Sequence, residues 1–429
     1  ARPTLERMPE RNLPPMPHPF FAPDGTAAIG AGPALPAWDL TDLYPAPDSP
    51  ELEADFAHAA ARARALHQAH AGQLAGRTGA ELAAVLAEYE GIEETLGRLA
   101  SYAQLLFSQD GTDPVLGKFY QSVMERVTTI SSDLLFLNLE LNRIDDSVLD
   151  GKLRDPALAH YRPYLRDLRV FRPHQLSDEA EKLLHEKEVT GRSAWSRLFD
   201  ETVAGMRVPV RGEDLTVSAA LNKLSDGDRT VRRDAAAAIG TAFEGNIRLF
   251  SLVTNTLAKD KEIVDTWRRY PRPASSRNRS NMVEDEVVDA LVDAVTSDYA
   301  RLSHRYYKLK AGWLGLDKLE HWDRNAPLPD QPDQHIPWDD ARDRVLSAYG
   351  GFSKELADVG RRFFDKPWID AGLRPGKSGG AFAHPTVPSA HPYLLLNYHG
   401  KTRDVMTLAH ELGHGVHQVL AGGQGYLMS

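Results

Sequence analysis

The sequence predicts a mainly α-helical fold with a small β element just before its last helix. Apolar residues recur at helical spacing through most of the chain, for example over residues 80–107. Alternating apolar and polar residues, the pattern of a strand, occupy residues 206–216. A second strand candidate is the short apolar run from Tyr393 to Tyr398, which ends a few residues before the last helical segment.

The order of elements follows from where helical periodicity starts and stops. Residues 1–37 are rich in proline, glycine and alanine, so we predict a tail or extended arm there. Residues 145–173 contain several X-Pro pairs and predict a looser connection. A boundary near residue 200 would separate a helical domain at 38–200 from a second one at 201–429. Helices are predicted over residues 51–75, 80–107, 114–144, 177–189, 218–224, 229–267, 283–313, 338–364 and 402–420.

Local signals support several of these limits. Thr78 followed by Glu81 has the spacing of a capping box, and Ser177 precedes a helix that begins with two acidic residues. Arg211 and Gly212 interrupt the strand pattern and predict the turn of a small hairpin.

Composition limits the classes of partner. Charged residues make up 26% and hydrophobic residues 42% of the 429, and the net charge of −10 argues against a nucleic-acid-binding surface over the whole protein. No run of about 18 apolar residues and no apolar leader occur, so we predict a cytoplasmic protein with no membrane partner. With no cysteine, any metal site must use histidine and carboxylate ligands. The oligomeric state is unknown from the sequence.

Five arginines lie between Trp267 and Asn281. A solvated loop between helices is the plainest interpretation of this segment. The alternatives are contacts with phosphates, which the negative net charge disfavours, and pairing with the carboxylate groups of peptides.

The segment 402–420 contains the pattern H-E-x-x-H as His410, Glu411 and His414. Val405, Leu408, Ala409, Leu412, Val416 and Val419 form an apolar stripe on one side of this helix. We predict Thr402 as the N-cap, Asp404 near the positive end of the helix dipole, and Gly422 and Gly423 as the stop. The alternative is a surface helix whose histidines bind nothing.

On such a helix, His410 and His414 stand one turn apart on the same side, where two neutral ring nitrogens can bind one Zn²⁺ ion per chain. Glu411 points about 100° round the axis, which suits a general base acting on water at the metal. This combination favours hydrolysis of an amide. His417 lies one turn further, and we interpret it as a bystander or as a partner of a ligand, not as a ligand itself.

Residues 372–400 lack the helical periodicity of the sequence before them. They are rich in glycine and proline and then give the apolar run Tyr393 to Tyr398. A free edge of this strand would bind an extended peptide through main-chain hydrogen bonds, whereas a plain core strand would not, and both interpretations remain open. His384, His391 and His399 also lie here, either as substrate contacts or as ordinary surface histidines.

Three stretches together resemble the oligoendopeptidase F group of the thimet-type (M3) zinc metallopeptidases. They are WDLTDLYP from Trp38, GKSGGAF from Gly376, and YLLLNYHGKTRDVMTLAHELGHGVHQ from Tyr393. The resemblance implies a two-lobed helical enzyme with a deep channel that cleaves short unstructured peptides, with 201–429 as its catalytic domain. It implies zinc ligation by His410 and His414 and catalysis by Glu411. It also implies substrate-binding residues in the glycine-containing loop and the strand, for which we predict Gly379, Gly380, Ala381, Phe382, Tyr393, Leu395 and Asn397.

Members of that family supply a third zinc ligand, a glutamate on the following helix, and further tyrosine and histidine groups that stabilise the tetrahedral intermediate. None of these has a counterpart before Ser429. We expect the sequence to be part of a longer protein. The alternatives are an upstream acidic residue that completes the site, and an inactive form that binds peptides without cleaving them.

Overall fold

The computed structural model describes residues 35–329 and 335–428, so the predicted tail at residues 1–37 lies outside the described residues except for its last three. The described chain is predominantly helical, as predicted. Its α-helices are α1 (Pro50–His70), α2 (Gly79–Gln109), α3 (Pro114–Ser132), α4 (Leu135–Arg143), α5 (Asp146–Lys152), α6 (Arg162–Arg169), α7 (Asp178–Lys187), α8 (Arg192–Gly205), α9 (Val217–Lys223), α10 (Arg229–Gly245), α11 (Ile247–Trp267), α12 (Ser275–Ser280), α13 (Asp285–Ser297), α14 (Arg305–Trp313), α15 (Trp338–Phe352), α16 (Lys354–Asp365) and α17 (Thr402–Ala421).

Two small sheets accompany the helices. Strands β1 (Arg207–Val210) and β2 (Glu213–Thr216) form an antiparallel hairpin. The second sheet has the order β3-β5-β4, with β3 (Ile369–Asp370) parallel and β4 (Phe382–His384) antiparallel to the central β5 (Tyr393–Leu395). This second sheet packs against α17, as the predicted β element beside the last helix requires.

The local signals in the sequence are confirmed. The Thr78 hydroxyl accepts from the Glu81 N–H, and the Glu81 carboxylate accepts from the Thr78 N–H at 2.7 Å. Ser177 caps α7. Arg211 and Gly212 both have positive φ, 51° and 88°, which is the type I′ geometry that two-residue hairpins favour.

Several predicted helices are divided. The segment 229–267 breaks at Asn246, and 338–364 breaks at Ser353, whose extended backbone (φ −151°, ψ 127°) and side chain cap the next helix. The segment 114–144 divides after Ser132, and the predicted looser connection contains α5 and α6. Apolar residues continue at helical spacing across these breaks, so the sequence pattern alone did not reveal them.

One buried cluster unites the two ends of the described chain. It contains side chains from residues 38–165 together with side chains from residues 336–416. A smaller cluster forms between the β1-β2 hairpin and α9 and α10. The predicted boundary near residue 200 falls inside α8, and the division into 38–200 and 201–429 stays a prediction. Among the described residues no helix combines the length and the apolar character needed to cross a bilayer.

Candidate active site

The Asp404 side chain fixes the N-terminus of helix α17 through hydrogen bonds to the backbone that precedes the helix. Its carboxylate accepts from the N–H groups of Lys401 and His399, each at 2.9 Å. Lys401, not Thr402, is the cap residue, because the chain leaves the extended conformation one residue earlier than the sequence predicted. The helix ends at Ala421, directly before Gly422, as predicted.

The predicted apolar stripe presses α17 into the core. Leu408, Leu412 and Val416 are fully or almost fully buried, and Val405, Ala409 and Val419 pack beside them. A Cβ atom at Gly415 would lie 2.8 Å from the Phe363 ring of α16, so glycine is required for this close approach. The close packing fixes which side of α17 faces away from the core.

A tyrosine from α15 contacts the histidine-bearing turn directly. The Tyr349 hydroxyl donates to the Ala409 carbonyl at 2.5 Å, one residue before His410. A Cβ atom at Gly413 would lie 3.2 Å from this hydroxyl, so the glycine inside the H-E-x-x-H motif leaves room for it. Burial raises the pKa of Tyr349, which keeps the hydroxyl protonated and able to donate.

Replacing Tyr349 by phenylalanine is expected to lower the free energy of unfolding by about 1 kcal/mol, the usual contribution of one such hydrogen bond. Urea titration of the variant beside Tyr307→Phe measures this loss, since Tyr307 is exposed on α14. Equal stability of both variants would show that the bond to Ala409 does not stabilise the turn.

The two histidines converge as the spacing predicted. Both side chains are exposed, on the side of α17 that faces away from the core. Their Nε2 atoms are 3.1 Å apart, and the ring planes are almost perpendicular, at 89°. Two nitrogen ligands of a tetrahedral Zn²⁺ ion are separated by roughly 3.3 Å, so the pair fits such an ion.

Glu411 lies between the exposed and buried sides of the helix. The residue is 9% exposed to solvent, and none of the described residues donates a hydrogen bond to its carboxylate. The helix directs this side chain about 100° from His410 and about 60° from His414, in the same sense, so it lies to one side of the pair. A carboxylate in this position is available to accept a proton beside the imidazole pair.

The described residues do not complete a metal site. No group of three or more histidine, cysteine or carboxylate side chains is placed to hold one ion in the described part of the chain. Asp404 caps the helix and is therefore not the additional ligand. The described residues thus give no support to the alternative that an upstream acidic residue completes the site.

The strand predicted as a substrate edge is internal. β5 pairs with β3 on one side and β4 on the other, and Tyr393 and Leu395 are fully buried. Of the two interpretations left open, the core strand therefore holds over Tyr393–Leu395, because sheet order is decided by contacts with distant segments. The outer strand next to α17 is β4, and the Gln418 side chain of α17 donates to its Ala383 carbonyl at 3.4 Å.

We call residues 376–381, which precede β4, the glycine loop. It contains the predicted substrate residues Gly379, Gly380 and Ala381. Gly379 and Gly380 are exposed, and Gly380 has a positive φ of 76°. The Asn397 amide donates to the Ser378 and Gly380 carbonyls at 3.0 and 2.9 Å, so this side chain holds the loop, and its contact with substrate stays a prediction. Phe382 opens β4, and its ring lies near Trp38.

A buried charged cluster lies behind the glycine loop. The Lys377 ammonium donates to the Asp370 carboxylate at 2.6 Å, and Arg374 donates to both oxygens of the same carboxylate. Burial lowers the pKa of Lys377 to about 8, whereas the Asp370 charge acts in the opposite sense. The sequence analysis did not identify Asp370, Lys377 or Tyr349 as part of the site. No local sequence pattern shows that a charged or hydroxyl side chain will be buried against a residue far away in the chain.

The three histidines of residues 372–400 are partly buried, so none is a plain surface residue. His391 stacks on Trp368 and lies 2.9 Å from the Asp42 carboxylate. Burial lowers the pKa of His384 to about 4 and also lowers the pKa of His399, which keeps both rings neutral near pH 7.

The arginine-rich segment is not simply a solvated loop. It contains α12, and Arg268 and Arg272 each make bidentate pairs, with Glu181 and Asp289 respectively. Both guanidinium groups are therefore engaged in intramolecular ion pairs, which gives no support to the alternatives of phosphate or peptide binding.

Two family models match the chain. A model described as Oligopeptidase F matches residues 140–207, and a model described as Peptidase family M3 matches residues 223–426. The second match contains the glycine loop, the β3-β5-β4 sheet and α17. The family model therefore covers the elements that build the site.

Curated relatives and solved structures agree with these matches. Oligopeptidase PepF of Bacillus subtilis is 27% identical over 76% of this chain and 49% of its own length. Group B oligopeptidase PepB of Streptococcus agalactiae is 27% identical over 76% of this chain and 55% of its own. The chain thus spans about half the length of these relatives.

Among solved structures, oligoendopeptidase F from Enterococcus faecium superposes with a TM-score of 0.60 at 21% identity, covering 72% of this chain and 59% of that one. Pz peptidase A, solved with an inhibitor, gives a TM-score of 0.68 at 16% identity, covering 88% of this chain and 64% of that one. At these identities the structural likeness shows a shared fold.

Proposed function

This chain belongs to peptidase family M3, within its oligoendopeptidase F group, and on that premise we propose that it hydrolyses peptide bonds in short, unstructured peptides. The observation that carries the proposal is the 3.1 Å separation of the His410 and His414 Nε2 atoms on an exposed helix face. Family membership supports a metal-dependent reaction, and the histidine pair fits one zinc ion.

His410 and His414 would hold the ion through their Nε2 atoms, each in the neutral form. A bound zinc ion supplies Lewis acidity, which polarises a peptide carbonyl and makes water easier to deprotonate. Tyr349 and the glycine contacts of α17 keep the two rings in register by fixing the helix against α15 and α16.

Glu411 would move the proton. One of its carboxylate oxygens takes a proton from the attacking water as the oxygen of that water bonds to the scissile carbonyl carbon. The same carboxyl group then gives the proton to the nitrogen of the leaving amine as the carbon–nitrogen bond breaks. The products are a carboxylic acid and an amine, so atoms and protons balance.

We propose that the substrate lies along β4 and the glycine loop, not along β5. β4 is the outer strand of its sheet beside α17, and an extended peptide can add to such an edge through main-chain hydrogen bonds. Gly379, Gly380, Ala381 and Phe382 remain the proposed contacts, whereas Tyr393 and Leu395 support the sheet from inside. Curated relatives named as oligopeptidases support short peptides as the substrate class.

Removing metal tests the proposal. Full-length protein is expected to cut a mixture of short peptides at internal amide bonds, identified by mass spectrometry, and to lose this activity after chelation. Adding Zn²⁺ in slight excess should restore it. Cleavage that persists after metal analysis has shown the protein to be free of zinc would refute the proposal.

A second candidate is peptide binding without hydrolysis. Two imidazoles are the ligands that the described residues bring together, whereas catalytic zinc normally has three protein ligands. Measurable peptide affinity in protein that contains no zinc and cuts no peptide would favour this candidate. We keep as predictions from the sequence a cytoplasmic location and the absence of nucleic-acid and membrane partners. The oligomeric state stays unknown.

A further inference from the structure

The glycine loop is fastened from behind by two side chains. Lys377, whose side chain has no exposed surface, lies within 3.1 Å of four oxygens: the Asp370 carboxylate and carbonyl and the carbonyls of Gly372 and Leu396. This joins the start of the loop to β3 and to the residue that follows β5. The Ser378 N–H also donates to the Ser108 carbonyl at the end of α2.

Asn397 fastens the middle of the loop. Both partners of its side-chain nitrogen, the Ser378 and Gly380 carbonyls, are acceptors, so the nitrogen and not the oxygen must face the loop. Each of its two hydrogens then has one acceptor. This leaves Asn397 without a free donor for a substrate.

The two held carbonyls determine where two N–H groups point. In a planar trans peptide, the C=O and N–H groups point in opposite directions. The Ser378 carbonyl shares a peptide unit with the Gly379 N–H, and the Gly380 carbonyl shares one with the Ala381 N–H. Both N–H groups therefore point away from Asn397, and no acceptor for either lies among the described residues.

The space around the two glycines is open. Gly379 and Gly380 are exposed, and a Cβ atom on either would meet nothing within 4 Å. Ala381 immediately precedes Phe382 at the start of β4, the outer strand of the sheet. The two donors thus continue the line of that strand.

We propose that Asn397 and Lys377 are positioning residues that hold the Gly379 and Ala381 N–H groups outward as a donor pair for the backbone carbonyl oxygens of the substrate. This rests on the proposed function and assigns the substrate contact to the backbone of the loop. The role of Asn397 is thereby indirect. Because the donors belong to the backbone, they bind peptides without regard to side-chain sequence.

The test couples a change in the protein to a change in the peptide. In a series of peptides, one backbone carbonyl at a time is replaced by a methylene group, and KM and kcat are measured with full-length protein. With the wild type, one or two members should show KM raised roughly tenfold with kcat nearly unchanged, the expected cost of a lost hydrogen bond. With Asn397→Asp, which keeps the shape but removes the two donors, parent and modified peptides should differ by less than about twofold.

Asn255→Asp is the matched control, since Asn255 is exposed on α11 and should retain the wild-type pattern. Lys377→Met, in which Asp370 keeps Arg374 as partner, provides a second variant expected to behave like Asn397→Asp. An unchanged tenfold difference in either folded variant would overturn the proposal. Failure of both variants to fold would also overturn it, because the residues would then serve the fold in general.

The result separates this inference from the proposed function. When the wild type cuts none of the peptides, the proposed hydrolysis fails, and calorimetric dissociation constants for the same series still test the donor pair. Cleavage with no carbonyl dependence in the wild type would retain the function and reject the inference.

Discussion

Replacing Glu411 by glutamine is expected to lower kcat for peptide hydrolysis by about 100- to 10,000-fold, the usual contribution of a positioned general base. Glutamine keeps the size of the side chain but accepts no proton at neutral pH. Glu411 is only 9% exposed to solvent, and none of the described residues donates a hydrogen bond to its carboxylate. The substitution therefore breaks no described hydrogen bond. Steady-state cleavage of a quenched fluorescent peptide measures the change.

Metal content and stability must stay near the wild-type values for this result to identify a base. Glu355→Gln is the matched control, because Glu355 is exposed on α16, a helix that packs directly on α17. Turnover at the wild-type rate by the Glu411 variant would contradict the proposal that Glu411 is the general base. A Glu411 variant that had lost its zinc would instead place this carboxylate among the metal ligands.

The second large effect concerns the histidines. His414→Ala is expected to lower zinc affinity by more than about 100-fold and to reduce peptide cleavage to background, because one nitrogen of the converging pair is removed. His417→Ala, one turn further along the exposed side of α17, should change both quantities by no more than about twofold. Competition with a chromophoric chelator measures the affinity of each variant.

The pair of variants decides between two descriptions of the exposed helix face. Equal losses of zinc in His414→Ala and His417→Ala would show that the ion lies further along α17 than the 3.1 Å convergence indicates. No loss in either variant would support the surface-helix interpretation, in which the rings bind nothing.

The candidate site was largely predictable because its central geometry is local. A helix fixes the distance between His410 and His414 whatever it packs against, and the apolar stripe of Leu408, Leu412 and Val416 predicted which side would be buried. The capping box at Thr78 and the hairpin turn at Arg211 were predictable for the same reason. Each depends on residues at most four positions apart.

The substrate side was less predictable because strand order depends on segments far apart in sequence. The run from Tyr393 had the composition of either an edge or a core strand, and only its pairing with both β3 and β4 decides for the core. Asn397 was predicted to contact substrate, whereas its neighbours in space are the Ser378 and Gly380 carbonyls, 17 to 19 residues earlier. A polar side chain near a strand does not reveal which distant acceptors it will meet.

The sequence by itself determined the helical class through its periodicity, and it determined the orientation of the two imidazoles and of the carboxylate beside them because one turn of α-helix specifies both. Only the tertiary structure decided which strand is outermost, where α8 continues across the expected domain boundary, and which buried charges fasten the glycine loop. The physical reason is range: backbone hydrogen bonds within a helix act over four residues, whereas the Lys377 ammonium and the β5 ladder join segments that meet only once the core has formed.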